Sequence, residues 1–195
     1  RKMTSIILAS SSPYRKELLK RLQIKFETKS PNIDESKLSN ENGYDAAKRL
    51  AKQKAISISK EYPNAYIIGC DQTAIFKKNH IEKSKDLLSA ANQLKVLSGN
   101  KVNFYSALCL YHDNKNICLE DVVEFDVKYR KLTSKDIQSY LKKENALNCV
   151  GGIKSEGLGI SLLSEINSTD PTSIIGLPLI SLSKMLVSCK IAPND

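Results

Sequence analysis

The chain has 195 residues, 41% hydrophobic and 26% charged, and a formal net charge of +9. That is enough apolar side chain for one substantial core or two lobes, and no segment nears the roughly 20 apolar residues of a membrane span. The opening Arg1-Lys2-Met3-Thr4-Ser5 lacks the apolar run of a secretory signal, so a cytoplasmic protein off the membrane is expected.

Cys70, Cys109, Cys118, Cys149 and Cys189 are odd in number, scattered and without C-x-x-C spacing, which predicts buried free thiols. His80 and His112 share no ligand-like spacing, which argues against a zinc site. The lysines are spread along the chain, so the charge predicts a solvated basic surface that steers anions rather than a nucleic-acid interface.

Strands and helices alternate, so the chain reads as α/β. Ser5–Ala9 is strand-like, and Ser10-Ser-Ser12-Pro13 then opens a helix over Pro13–Leu22 that turns Leu18, Leu19 and Leu22 inward. Ser12 is a good N-cap and Pro13 suits the first helical position. With Arg15 and Lys16 following, donors, hydroxyls and cations converge on one point, a site for an anion such as phosphate. Lys25–Lys29 returns as a strand into the loop Ser30-Pro-Asn-Ile-Asp34-Glu35, and a helix over Asp45–Lys60 carries Ala47, Leu50, Ala51, Lys54 and Ala55 at helical spacing. Pro63-Asn64 breaks it.

Tyr66–Cys70 is a buried strand ending at Asp71. A hairpin follows, with strands Gln72–Phe76 and Ile81–Lys83 around a turn at Lys77–Asn79. The helix Asp86–Leu97 stops at Ser98-Gly99, the left-handed ending. Lys101–Tyr111 and Ile117–Leu132 are longer strands around the turn His112–Asn116, the second alternating Val123, Phe125, Val127 and Tyr129 with charged residues. Thr133 with Asp136 forms a capping box for a helix through Lys143. The glycine-rich segment Gly151–Gly159 precedes a strand over Ile160–Ile166. The turn Asn167–Pro171 and Gly176-Leu-Pro178 then lead to a closing helix through Val187. No repeat or free linker is present, so any two lobes are interwoven.

Several residues could carry chemistry. Asp71, at the end of an apolar strand, sits where open α/β sheets present functional groups, although an aspartate there can also simply cap a turn. Lys54 falls on or beside the apolar helix face, where an unpaired ammonium is costly; it either snorkels to water or meets an anion in a cleft. Asp34 and Glu35 are open in the same way, since paired acids in loops are usually solvated, and Lys83 alone reads as surface. The glycine segment is no P-loop, because Leu158-Gly159 stands where Lys-[Ser/Thr] is required.

Taken in order, Leu8-Ala-Ser-Ser-Ser-Pro-Tyr-Arg15, Asp34-Glu35, Ala51-Lys-Gln-Lys54-Ala55, Ile68-Gly-Cys-Asp71, Leu97-Ser-Gly99, Phe125-Asp-Val-Lys-Tyr-Arg130 and Gly176-Leu-Pro-Leu179 resemble the Maf nucleotide pyrophosphatases over nearly the whole chain. The resemblance implies a single domain over 1–195: an α/β fold with a mixed β-sheet and flanking helices, in two interwoven lobes around a cleft, related in architecture to inosine triphosphate pyrophosphatases. It implies hydrolysis of a nucleoside triphosphate to monophosphate and diphosphate with a divalent cation, magnesium or manganese.

Carried over by motif, Asp71 is the catalytic carboxylate, and Glu35 is a second acid which, with Asp71, stands near the metal. Ser10, Arg15, Lys54 and Lys83 form the phosphate-binding set. Tyr14, Gln72 and Glu156 resemble the branch acting on 7-methyl-GTP, where Arg, Thr and Gln mark the branch acting on dTTP and UTP. A carboxylate at 156 suits the guanine N1–H and amino group and the cationic N7-methylated ring, against which Tyr14 can lie. Ser84 replaces the proline usual after the hairpin lysine. Members often pair as homodimers, and removal of modified nucleotides is the implied role. The competing readings are the dTTP/UTP activity and a non-catalytic nucleic-acid-binding or division-regulating protein.

Overall fold

The computed structural model describes residues 4–191; part of the opening stretch read for a secretory signal, residues 1–3, lies outside them. The elements in order are β1 (Ile6–Ala9), α1 (Pro13–Lys20), β2 (Glu27–Lys29), α2 (Gly43–Ser59), β3 (Tyr66–Phe76), β4 (Asn79–His80), α3 (Leu87–Leu97), β5 (Lys101–His112), β6 (Ile117–Tyr129), α4 (Ser134–Lys143), β7 (Leu163–Asn167) and α5 (Leu179–Ser188). They form the mixed α/β fold expected: one sheet of order β2-β1-β3-β5-β6-β7, with β4 paired to β3. β1 runs parallel to both β2 and β3, while β3/β4 and β6/β7 are antiparallel.

The chain divides into two compact units, each built from separated segments. The first comprises the segment ending at Gln72, Ser106–Val123 and the segment from Asp170 onward; the second comprises Thr73–Tyr105 and Glu124–Thr169. The first unit's core joins Leu8, Leu18, Leu19, Ile68, Cys70, Leu108, Leu110, Leu177, Leu182 and Leu186. Leu18 and Leu19, one apolar stripe of α1, are 2% and 0% exposed, worth about 1.5–3 kcal/mol each relative to exposure. Leu22 packs at the edge of this core, beyond the helix end. In the second unit Phe104 and Phe125 stack at 5.1 Å between centroids, and Tyr129 and Tyr140 are buried.

Chain direction places the helices. From β1 the chain moves through α1 to β2 on one side, then through α2 back past β1 to β3 on the other. Right-handed crossovers in opposite directions put α1 and α2 on opposite sheet faces. The reversal makes the crevice beyond the carboxyl end of β1, against β3, a switch point of the kind where open α/β sheets bind ligands.

Several sequence expectations are corrected. The two strands expected on either side of Asp71 are one 11-residue strand; the carboxylate interrupts the hydropathy but not the backbone, because its charge is paired. The hairpin turn is Lys77-Lys78, both with positive φ, as a two-residue turn matching strand twist requires. The returning strand is Asn79–His80 rather than Ile81–Lys83. The Ile81 N–H still donates to the Ala74 carbonyl at 2.8 Å, but the Glu82 carbonyl is taken by Gln93 Nε2 at 2.9 Å, which draws the chain toward α3.

β6 ends at Tyr129, not Leu132: the Arg130 N–H and Nε turn to the Leu162 and Ser161 carbonyls. The strand expected over Ile160–Ile166 is instead a 3-10 turn over Leu158–Leu162 followed by β7. The capping box of Thr133 and Asp136 and the left-handed Gly99 are present as read. All five cysteines are free, but only Cys70 and Cys109 are buried; Cys118 is exposed.

Candidate active site

In the first unit, β1 ends at Ala9, in register with Gly69 of β3. β3 therefore projects past its parallel neighbour, and Asp71 lies on that projecting part. Ser10, 6% exposed, leaves the strand beside it and accepts a hydrogen bond on Oγ from the Ser12 N–H at 3.1 Å. Ser12 in turn caps α1, accepting from the Arg15 N–H at 3.3 Å, with Pro13 opening the helix.

Gly69 sets the height of α2 over β3. A Cβ at Gly69 would lie 2.1 Å from the Ala51 carbonyl oxygen and 2.9 Å from Ala55 Cβ, so only a residue without a side chain admits the helix so close. Lys54 lies on that face of α2, and its Nζ donates to Asp71 Oδ1 at 2.7 Å and to Glu35 Oε2 at 3.0 Å. The Lys54 and Asp71 side chains are 7% and 8% exposed, that of Glu35 53%. Of the two fates open to Lys54, the structure selects the buried one, with two carboxylates as partners. Asp71 caps no turn, and Glu35 is not a bystander acid.

The loop carrying Glu35 is tied to α2 by Arg49, which sequence reasoning missed. Its guanidinium grips Glu41 through Nε at 2.6 Å and Nη2 at 2.8 Å, donates to the Ser36 carbonyl at 2.9 Å, and reaches Gln53 at 3.0 Å. Glu41 foremost, with Asp71 and Asp34 adding, raises the Arg49 pKa above its ordinary value. The available signal was an arginine early in a helix after a loop holding Asp34, Glu35 and Glu41.

On the other side of β3, Gln72 and Arg15 meet around Gly176. Arg15 Nε donates to the Gly176 carbonyl at 2.9 Å and Gln72 Nε2 to the Ile174 carbonyl at 3.4 Å. A Cβ at Gly176 would lie 3.1 Å from Gln72 Oε1 and 3.2 Å from Arg15 Nε, and its φ of 112° favours glycine in any case. Burial pushes the neighbouring Cys70 thiol pKa up, opposed by the charges of Arg15 and Lys54, so both cations act on one stretch of β3. Tyr14, in the same helical turn as Arg15, is half-buried.

Lys83 and Glu156 belong to the second unit, and both are exposed. Both reach the Cys149 thiol electrostatically. Burial pushes that thiol up to about 11, Glu156 adding and Lys83 opposing. The glycine segment is held by two tyrosines, Tyr129 donating to the Gly151 carbonyl at 2.7 Å and Tyr140 to that of Gly152 at 2.8 Å. Burial pushes the Tyr140 pKa up to about 12, so it stays a donor. Glu144 pairs with Lys154 at 2.6 Å and accepts from the Leu158 N–H at 3.0 Å, closing the loop that presents Glu156.

A divalent cation here would draw on Asp71 and Glu35, two carboxylates; among the described residues no group of three or more His, Cys, Asp or Glu stands together for a metal. Two carboxylates fit a hard cation that magnesium chemistry completes with water and substrate phosphates. No helix among the described residues is long and apolar enough to cross a membrane.

The chain matches the Maf-like protein family over residues 5–189. A 7-methyl-GTP pyrophosphatase of Methylobacillus flagellatus is 47% identical over 186 residues, covering 95% of this chain and 97% of that one. A 7-methyl-GTP pyrophosphatase of Colwellia psychrerythraea is 42% identical, covering 94% and 92%. A solved HAM1 protein from Coxiella burnetii superposes with a TM-score of 0.55 at 14% identity, over 95% of this chain and all of that one, a likeness of fold alone. The family match and the relatives' identity both span nearly all of the chain, and the chain belongs to the Maf-like protein family.

Proposed function

We propose that this chain is a nucleotide pyrophosphatase that hydrolyses 7-methyl-GTP to 7-methyl-GMP and diphosphate, removing a modified nucleotide from the pool. The relatives named for that activity support the substrate. One observation carries the chemistry: the buried Lys54 ammonium bridging Asp71 and Glu35 at the switch point of the sheet. An ammonium has three donors, of which two are used on these carboxylates, leaving the third for a phosphate oxygen.

In this reading Asp71 orients a water toward the α-phosphorus and accepts its proton as the oxygen–phosphorus bond forms. The bond to the β-phosphate oxygen breaks, and diphosphate leaves with the electron pair. Ser10, Arg15, Lys54 and Lys83 hold the phosphates and offset the charge growing on the leaving group. Glu35 and Asp71 would hold magnesium or manganese, which would supply further charge neutralisation when bound. Glu156 accepts from the guanine N1–H and amino group, and Tyr14 and Gln72 complete base selection. A cytoplasmic location and pairing of two copies belong to the same reading.

The test is product analysis with 7-methyl-GTP and magnesium, comparing wild type with Asp71→Asn, whose fold is checked by circular dichroism. Release of 7-methyl-GMP and diphosphate by wild type, with at least a hundredfold loss in the variant, is expected. Unchanged turnover in Asp71→Asn removes that residue from its role. Faster diphosphate release from UTP or dTTP than from 7-methyl-GTP overturns the substrate.

A further inference from the structure

We propose that Asp170 and Thr172 are positioning residues for the phosphate grip of Arg15, acting through the loop that ends at Gly176. This deepens the functional reading and rests on it for the identity of the ligand. Asp170 is 2% exposed, and its carboxylate is committed to backbone nearby. Oδ1 accepts from the Thr172 N–H at 2.8 Å, and Oδ2 from the Ile180 N–H at 2.9 Å. The Thr172 hydroxyl accepts from the Leu179 N–H at 2.8 Å and has one proton for two neighbours, Asp170 Oδ1 at 2.7 Å and the Leu177 carbonyl at 2.8 Å. Ser173 adds bonds from N–H and Oγ to the Asp170 carbonyl at 3.2 and 2.6 Å.

The pattern exceeds what helix capping needs. Pro178 stands at the N-cap of α5 with no side-chain capping bond, and a serine or aspartate there would satisfy the helix donors locally. Instead those donors are met from seven and ten residues upstream. Tying both ends of the segment 170–180 forces the residues between them into a compact turn, with the Gly176 N–H on the Ser173 carbonyl at 3.0 Å.

Two carbonyls of that turn face the candidate site, Gly176 toward Arg15 Nε and Ile174 toward Gln72. The bond from Nε is the only one the Arg15 side chain makes among the described residues. A guanidinium held at Nε is fixed in its plane, with the Nη1–Nη2 edge directed to take two phosphate oxygens at once. If the Gly176 carbonyl moves, the charge of Arg15 stays but its orientation is lost.

The test is a double-mutant cycle. Thr172→Val, Thr172→Ser and Asp170→Asn are each made in the wild-type and Arg15→Gln backgrounds. Inorganic triphosphate binding is measured by calorimetry, kcat and KM with 7-methyl-GTP, and melting temperature alongside. Thr172→Val is near-isosteric and serves where Asp170→Asn fails to fold. The expected result is an affinity loss of about tenfold for Thr172→Val in the wild-type background, less than about twofold in Arg15→Gln, and recovery in Thr172→Ser.

Equal fold-losses in both backgrounds, or failure of Thr172→Ser to recover, overturn the proposal. A wild type that cleaves no nucleotide overturns the functional reading, while the triphosphate cycle still judges the positioning role. A wild type that does not bind inorganic triphosphate overturns Arg15 as a phosphate grip and the positioning role with it.

Discussion

Replacing Lys54 by methionine keeps most of the side-chain volume on α2 and removes the ammonium. Its two contacts are unequal. The Asp71 carboxylate, 2.7 Å away and 8% exposed, has little water to fall back on; Glu35, at 3.0 Å, is 53% exposed and does. Stranding one member of a buried pair costs about 3–5 kcal/mol, whereas losing a half-solvated pair costs about 0.2–1 kcal/mol. For a chain of this length about 1 kcal/mol corresponds to roughly 2–4 °C in melting temperature, so Lys54→Met is expected to melt roughly 6–20 °C lower. Adding Asp71→Asn removes the stranded charge and should return most of that loss, while Glu35→Gln alone should move the melting point by a few degrees at most. Calorimetry on the three variants measures it. A loss below about 1 kcal/mol in Lys54→Met, or no recovery in the double variant, refutes the reasoning that the pair is desolvated.

Gly69→Ala places a methyl against the Ala51 carbonyl and is expected to cost about 1–3 kcal/mol. It should also lift α2 enough to lower turnover, and a variant that melts and turns over like wild type removes the close approach as a requirement. Glu156→Gln is expected to raise KM for 7-methyl-GTP at least tenfold relative to UTP; equal effects on a nucleotide panel show that Glu156 does not select the base. Asp136 has its pKa lowered, first by Arg130 and then by the Thr133 backbone. A carboxyl with a depressed folded-state pKa stabilises above its unfolded value of 3.8 and loses that contribution as pH falls through the lowered one. The melting-temperature gap between wild type and Asp136→Asn should therefore be full near neutrality and close in acid; a gap that widens in acid contradicts the pairing.

What was legible in the sequence was what local chemistry writes. Ser12-Pro13 opens α1, and Thr133 and Asp136 form their box, because each depends on neighbours within four residues; Gly99 ends α3 with a positive φ that only a glycine adopts readily. Lys54 was legible as an oddity, a cation among alanines, yet only the packing allowed by Gly69 gives it partners. Asp71 was found but misread as a strand end, since a charge and a break lower hydropathy alike. Glu35 entered through resemblance rather than physics, being one acid in an irregular loop. Arg49 and Asp170 carried only weak local signals, an arginine after an acidic loop and an aspartate in a turn. Their bonds run to Ser36, to Glu41 and, for Asp170, onward to Ile180, and pairings over such spans carry no periodicity.

The uninterrupted course of β3 separates two kinds of carboxylate. Asp71 is carried by an 11-residue strand inside the sheet, where amides open only with large parts of the fold, so its oxygens can shift little beyond side-chain rotation. Glu35 rides on residues 30–42, which contain no helix or strand, suspended chiefly by the Arg49 clamp. The first therefore fixes a point in space, and the second keeps its place through Lys54 and the Arg49 clamp rather than through the sheet. Hydrogen exchange should show slow amides through Ile68–Gln72 beside faster ones around Glu35.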